Sequence, residues 1–200
     1  MDKYSIDKVQ IVAIKEDEYA IKYIKNPSEK VQLAAIKQNI YIIQFIKHPS
    51  EKVQIVTVKQ NGNAIQFIKN PSEKVQIAAI KEDEYAINYI KNPSEKVQIA
   101  AIKQNVYAIK YIINPSEKVQ LEAVKKDGQV IQYINNPSEK VQAVAIKQNI
   151  YAIQYIINPS EAALESFLLS DDCDMSLLKD EWFDGKSAAL RLIYEIKKGI

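Results

Sequence analysis

Apolar residues recur along this chain in two alternating blocks. In the first, Val31, Leu33, Ala34, Ala35 and Ile36 spread around more than one side of a helical wheel, the pattern of a helix sandwiched between neighbours. A polar break follows, then a shorter block in which Ile43 and Ile46 form a stripe. The whole pattern returns every 22 residues: Asn26-Pro27-Ser28-Glu29-Lys30-Val31-Gln32 reappears with small changes from residues 48, 70, 92, 114 and 136, and a degenerate copy, Tyr4-Ser5-Ile6-Asp7-Lys8-Val9-Gln10, opens the series. Seven repeats fill residues 4–157, and no stretch alternates with the period of two that a strand requires.

Each repeat predicts two helices. Asn26 can cap the first, Pro27 suits its first turn, where a missing N–H costs nothing, and Glu29 completes a capping-box arrangement. This helix A runs to about Lys37. A second start signal stands at the fourteenth position, always Asn or Asp: Asp17, Asn39, Asn61, Asp83, Asn105, Asp127 and Asn149. Gly62 and Gly128, one residue later, mark the same turn with a residue tolerant of unusual backbone angles. Helix B, for example Tyr41 to Lys47, is about two turns long, too short to persist alone because helix nucleation is costly. Neither helix buries its apolar face within one repeat, so stacking is required. The predicted fold is all-α: a right-handed α-solenoid of seven 22-residue helix-turn-helix repeats (4–157) with a C-terminal helical cap (158–200). In the cap, Ala162, Leu164, Phe167 and Leu168 continue a truncated eighth helix A. Two further helices are expected, one around Met175 to Phe183 and one from about Lys186 to Lys198, covering the end with Leu177, Leu178, Trp182, Leu190, Leu192, Ile193 and Ile196.

Composition narrows the function. With 47% hydrophobic and 26% charged residues the chain fits a folded domain. No apolar run reaches the roughly 20 residues of a membrane helix, and Met1-Asp2-Lys3-Tyr4 lacks a signal-peptide layout, so a cytoplasmic location and no membrane partner are expected. Cys173 is the only cysteine, which excludes an internal disulfide. Charge is uneven: residues 1–157 carry 22 Lys against 16 acids, residues 158–200 carry 5 bases against 9, and Arg191 is the sole arginine.

The repeats resemble the HEAT-like superfamily, in which an A and a B helix form an antiparallel pair, at about half the usual repeat length. Asn92-Pro93-Ser94-Glu95-Lys96-Val97-Gln98 is similar to the start of a leucine-rich repeat variant unit, with Gln98 where that family has Arg and with no cysteine-rich iron–sulfur segment. The stretch from Val53 to Phe67, through Lys59-Gln60-Asn61-Gly62, resembles an uncharacterised bacterial and viral helical-repeat family. These resemblances imply fold rather than activity, and by HEAT analogy place the B helices along a concave face.

Residues that could carry chemistry are sparse. His48, the lone histidine, stands where other repeats have the Asn that opens helix A and reads as a variant of that position. Asp171-Asp172-Cys173-Asp174 lacks the glycine and ligand spacing of a calcium loop and reads as a solvated turn. Glu16-Asp17-Glu18 and Glu82-Asp83-Glu84 place negative charge where a helix dipole favours it. No nucleophile–base pair or phosphate loop is present, so neither catalysis, nor a cofactor, nor a metal is expected.

The informative positions vary between repeats while facing outward. The fifteenth (Glu18, Ile40, Gly62, Glu84, Val106, Gly128, Ile150), the sixteenth (Tyr19, Tyr41, Asn63, Tyr85, Tyr107, Gln129, Tyr151) and the nineteenth (Lys22, Gln44, Gln66, Asn88, Lys110, Gln132, Gln154) are all expected opposite the Ile stripe. The sixteenth and nineteenth are the candidate partner-binding residues, since Tyr offers large contact area at low entropic cost. Alternatively each Tyr packs on the aromatic residue four positions later, as Tyr107 on Tyr111. The expected function is a non-catalytic protein-binding scaffold or inhibitor, encoded by a bacterium or virus and directed at a host protein. Nucleic-acid binding through the Lys30, Lys37 and Lys47 ladders is the alternative, weakened by the Glu29-type neighbour of each Lys30-type residue. Capture of a small ligand by an oligomer is a third possibility without positive support.

Overall fold

A computed structural model describes residues 3–199, with side chains from residue 6. The reading of Met1 and Asp2 as no signal peptide, and the side chains of Tyr4 and Ser5 in the degenerate opening, lie outside the described residues. Among these residues every regular element is helical, and the fold is an all-α solenoid. The chain divides into two compact bodies, Met1–Gln104 and Asn105–Ile200, with the boundary inside the fifth repeat.

The first body alternates α-helices α1 (Lys3–Glu16), α2 (Glu29–Gln38), α3 (Glu51–Gln60), α4 (Glu73–Glu82) and α5 (Glu95–Gln104) with short helices η1 (Glu18–Tyr23), η2 (Ile40–Phe45), η3 (Gly62–Phe67) and η4 (Glu84–Tyr89). The second contains η5 (Val106–Tyr111), α6 (Glu117–Lys126), η6 (Gly128–Tyr133), α7 (Glu139–Gln148), η7 (Ile150–Tyr155), α8 (Glu161–Leu168), η8 (Met175–Leu177), η9 (Asp180–Phe183) and α9 (Ala188–Lys198). In each body consecutive α-helices pack on one another and the η helices on their successors.

Helix B is not the α-helix its sequence predicts. All seven copies are six-residue 3₁₀ helices, closed by bonds such as Ile42 N–H to Asn39 C=O (3.2 Å) and Ile46 N–H to Ile43 C=O (3.1 Å). Extended residues hem the segment in on both sides, Asn39 at φ −151° and Ile46 at φ −84°. A 3₁₀ helix rises about 2.0 Å per residue, so six residues span more of the layer than six α-helical residues would. The fourteenth residue caps it: Asn39 Oδ1 accepts from Tyr41 N–H at 2.8 Å, while the backbone N–H of Asn39 itself donates to Ala35 C=O and closes α2. One Asn or Asp thereby ends helix A and starts helix B.

The start of helix A also differs. Ser28, rather than Asn26, is the cap, its Oγ accepting from Val31 N–H at 3.3 Å. Asn26 instead makes the turn in the left-handed region (φ 53°), as do Asn70, Asn92, Asn114 and Asn136. Pro27 bars its predecessor from the right-handed helical region, and Asn is the non-glycine residue that best tolerates the left-handed one. His48 is not among the left-handed residues and caps nothing; α3 is capped by Ser50. Glu29 is the first helical residue, so no capping box forms, and its carboxylate reaches forward to the next repeat instead.

The core is built from equivalent positions. Val31, Ala35, Ile36 and Ile43 and most of their counterparts are buried, with Thr57 taking the Ala35 place and bonding Val53 C=O at 2.9 Å. Val9 shows where that burial comes from. It is 61% exposed on α1, whereas Val31, Val53 and Val75, preceded by another repeat, are 0% exposed. In the cap, the segment expected as one helix is two short 3₁₀ turns, η8 and η9, and Leu192 and Ile196 face outward. Trp182 and Leu190 are buried as expected, joined by Phe183 and Tyr194, whose rings stack 3.9 Å apart.

Candidate interaction surface on the 3₁₀ helices

A 3₁₀ helix has three residues per turn, so side chains three apart share a row. Positions fifteen, eighteen and twenty-one therefore face inward together: Ile43 and Ile46 are buried and Ile40 half-buried. The fifteenth position consequently does not face outward. It points at the following repeat, and where it is glycine the approach is closest. A Cβ on Gly62 would lie 2.5 Å from Ala79 O, and one on Gly128 would lie 2.2 Å from Ala145 O. Neither glycine has positive φ, so what each provides is space rather than an unusual backbone angle.

Positions sixteen and nineteen face outward, followed past the extended residue that ends each helix by position twenty-two. In the first body this gives Tyr19-Lys22-Lys25, Tyr41-Gln44-Lys47, Asn63-Gln66-Lys69 and Tyr85-Asn88-Lys91. In the second it gives Tyr107-Lys110-Ile113, Gln129-Gln132-Asn135 and Tyr151-Gln154-Ile157. All fourteen candidate residues at positions sixteen and nineteen lie on these strips; twelve are exposed, and Asn63 and Gln129 are half-buried. Those two occupy the glycine repeats, where polar bonds reach the following repeat: Asn63 Nδ2 donates to Asp83, and Gly128 N–H to Gln148. Position twenty-two was read in the sequence only as a lysine ladder. The structure brings it next to the nineteenth residue: Lys25 and Lys22, like Lys69 and Gln66, line one cavity.

Three of the tyrosines pack against a ring of the next repeat, and all five stay accessible. Tyr19 meets Phe45 edge-on at 6.0 Å, Tyr41 meets Phe67 at 5.7 Å, and Tyr107 meets Tyr133 at 6.4 Å, each partner belonging to the next repeat rather than lying four residues later. Tyr19, Tyr41, Tyr85, Tyr107 and Tyr151 nevertheless remain 43%, 48%, 51%, 44% and 52% exposed. Tyr107 Oη donates to Asp127 Oδ2 at 3.1 Å, and that carboxylate holds the phenol above its ordinary value of 10.0. Gln44, Gln66 and Gln132 each donate to the backbone carbonyl three residues earlier, which ties the nineteenth side chain down along its strip. Lys22 lays its ammonium 3.9 Å from the Phe45 ring centre and 4.3 Å from that of Tyr19.

Electrostatics separate the lysine ladders. Lys52, Lys74 and Lys96 pair with Glu29 (3.1 Å), Glu51 (3.7 Å) and Glu73 (2.6 Å) of the preceding repeat. Ser50, Ser72 and Ser94 hydroxyls donate to the same carboxylates at 2.7, 2.7 and 2.6 Å. The Ser50 hydroxyl and Lys52 lower the Glu29 carboxyl, and Lys96 and Ser94 lower that of Glu73. By contrast Lys25, Lys47, Lys69 and Lys91 enter no ion pair among the described residues.

In the cap, Asp174 starts η8 by accepting from Ser176 N–H, and burial pushes the Cys173 thiol up. No cluster of three or more His, Cys, Asp or Glu placed to hold a metal occurs among the described residues, and no helix among them is long and apolar enough to cross a membrane. No protein-family model, no curated protein and no solved structure matches the chain. What the architecture establishes is a repeated array of short helices.

Proposed function

We propose that this chain is a non-catalytic binding protein that engages another protein through the strips its 3₁₀ helices present. The reading rests on one observation: five tyrosines at equivalent positions leave about half their surface to solvent, and three of them, Tyr19, Tyr41 and Tyr107, meet a ring of the next repeat. Rings held this way offer contact area while giving up little further entropy on binding, which is why Tyr is enriched at interfaces. The flanking amides and lysines supply polar contacts around them. A HEAT-like kinship belongs to the same proposal, supported by the alternation of two helices per repeat, although the second is 3₁₀.

Nucleic-acid binding is less well supported. Lys52, Lys74 and Lys96 of the Lys30-type ladder are paired with carboxylates of the preceding repeat, Lys22 covers the Phe45 face on which a base would stack, and no repeat carries an arginine. The test is affinity capture from native extract with wild type and with Tyr41→Ser, Tyr85→Ser, Tyr107→Ser and Tyr151→Ser combined. Wild type is expected to retain a defined protein that the variant loses by tenfold or more at unchanged helical circular dichroism, about 1.4 kcal/mol of binding. Equal retention by both would overturn the reading.

A further inference from the structure

Two cavities open along the strips of the first body. One, of about 460 Å³, is lined by residues including Lys22, Lys25, Lys47 and His48, with Tyr23 and Phe45 as walls. The other, of about 600 Å³, is lined by residues including Gln66, Lys69, Gln76, Tyr89 and Lys91. They are the same feature at two junctions: each lies between consecutive turns and takes a position-twenty-two lysine from both. Neither has a carboxylate in its lining. Lys25, Lys47, Lys69 and Lys91 are exposed and, among the described residues, free of ion pairs, whereas Lys52, Lys74 and Lys96 each pair with a carboxylate. In the second body the equivalent positions are Ile113, Asn135 and Ile157, so the cationic row is confined to the first.

We propose that this row is the docking site for an acidic, extended polypeptide segment, which seats one carboxylate at each repeat junction of the first body. Spacing favours a peptide. Packed helices lie about 8–10 Å apart, and a polyproline II chain presents the same side of its backbone every third residue, about 9 Å along its axis. A segment with Glu or Asp at every third position therefore meets successive lysines in register, with the residues between facing the Tyr23 and Tyr89 walls. Single-stranded nucleic acid would need open ring faces as well as cations, and Lys22 already occupies the face of Phe45.

The inference rests on the reading of the strips as a protein-contact surface, and a synthetic probe separates the two. Fluorescence anisotropy of a labelled peptide of repeated Glu-Pro-Pro triplets is measured on the full chain, beside its Gln-Pro-Pro counterpart and an oligonucleotide of equal charge. Salt-sensitive binding of the Glu peptide alone is expected. Lys25→Gln, Lys47→Gln, Lys69→Gln and Lys91→Gln together are expected to weaken it about tenfold, each exposed pair contributing a small share. The equal-charge control, Lys15→Gln, Lys37→Gln, Lys59→Gln and Lys81→Gln, is expected to change it less than about twofold. Absence of binding, an equal loss in both variants, or tighter binding of the oligonucleotide through the same four lysines would each overturn the proposal. All three outcomes leave the tyrosine capture test intact.

Discussion

At the scale of single residues, the positions that look interchangeable between repeats are the ones that set local geometry. Gly62 and Gly128 stand where other repeats have Glu18, Ile40, Glu84, Val106 or Ile150, so side chains are tolerated at this position in general. They are excluded in these two repeats because Ala79 O and Ala145 O lie 2.5 and 2.2 Å from where a Cβ would be. Gly128→Ala should therefore destabilise the chain by about 1–3 kcal/mol through overpacking, read as a lower urea midpoint by circular dichroism; an unchanged midpoint would mean that the junction opens without cost. Gln32 illustrates the opposite case of a residue held by two partners. Its Nε2 donates to Pro27 C=O at 3.0 Å and its Oε1 accepts from Ser50 N–H at 3.3 Å, joining its own turn to the next repeat. Gln142 repeats both bonds, to Pro137 and Ser160. Gln98, which stands where the leucine-rich repeat variant pattern has Arg, keeps the first bond, to Pro93 at 2.9 Å.

At the scale of elements, a ten-residue α-helix and a six-residue 3₁₀ helix are both too short to persist alone, so the bonds between repeats matter more than those within them. The Glu-Ser-Lys clusters are such bonds, and they make the array sensitive to acid. Because the folded-state values of Glu29 and Glu73 lie below the ordinary 4.5, their stabilising contribution is present above that pH and is lost as pH falls through the lowered values. Urea midpoints measured from about pH 5 down to about pH 3 are expected to fall, and to fall less steeply in the same window for Glu73→Gln. A variant whose midpoint tracks wild type across that range would show that the cluster adds nothing. The cap is a second element held from outside itself. Trp182 Nε1–H donates to Ile157 C=O at 3.1 Å, and Glu161 accepts from Ser187 N–H at 2.8 Å. Trp182→Ala is expected to cost about 3–5 kcal/mol, measured by chemical unfolding of the second body; a loss under about 1 kcal/mol would assign the cap a minor part.

Across the whole chain, the repeats follow a longer rhythm than 22 residues. Asp17-Glu18-Tyr19 returns as Asp83-Glu84-Tyr85, Asn39-Ile40-Tyr41 as Asn105-Val106-Tyr107, and Asn61-Gly62-Asn63 as Asp127-Gly128-Gln129. Every third repeat thus exchanges a tyrosine for a close approach, interrupting the aromatic row at Asn63 and Gln129. Superimposed on that rhythm, position twenty-two changes from lysine in the first body to Ile113, Asn135 and Ile157 in the second, and both isoleucines are largely exposed. The two bodies accordingly present similar tyrosines with different chemistry beside them.

The sequence by itself determined the period, the all-α class, the start of every helix B at an Asn or Asp and most of the core, because these follow from hydrophobic spacing and from which side chains satisfy free backbone N–H groups. It also picked out the outward tyrosines and amides, since polar residues that vary between otherwise constant repeats lie off the core. Tertiary structure decided the rest. Whether the segment from Ile40 to Phe45 winds as α or 3₁₀ depends on the span it must cover between extended residues on both sides, and that choice moves position fifteen inward, while the extended residue after each helix sets where Lys25, Lys47, Lys69 and Lys91 stand. Which lysines are neutralised, which residue caps helix A and which ring each tyrosine meets are settled between residues of adjacent repeats or across the turn that joins them. Such contacts have no local signature, because an isolated repeat would not be folded to make them.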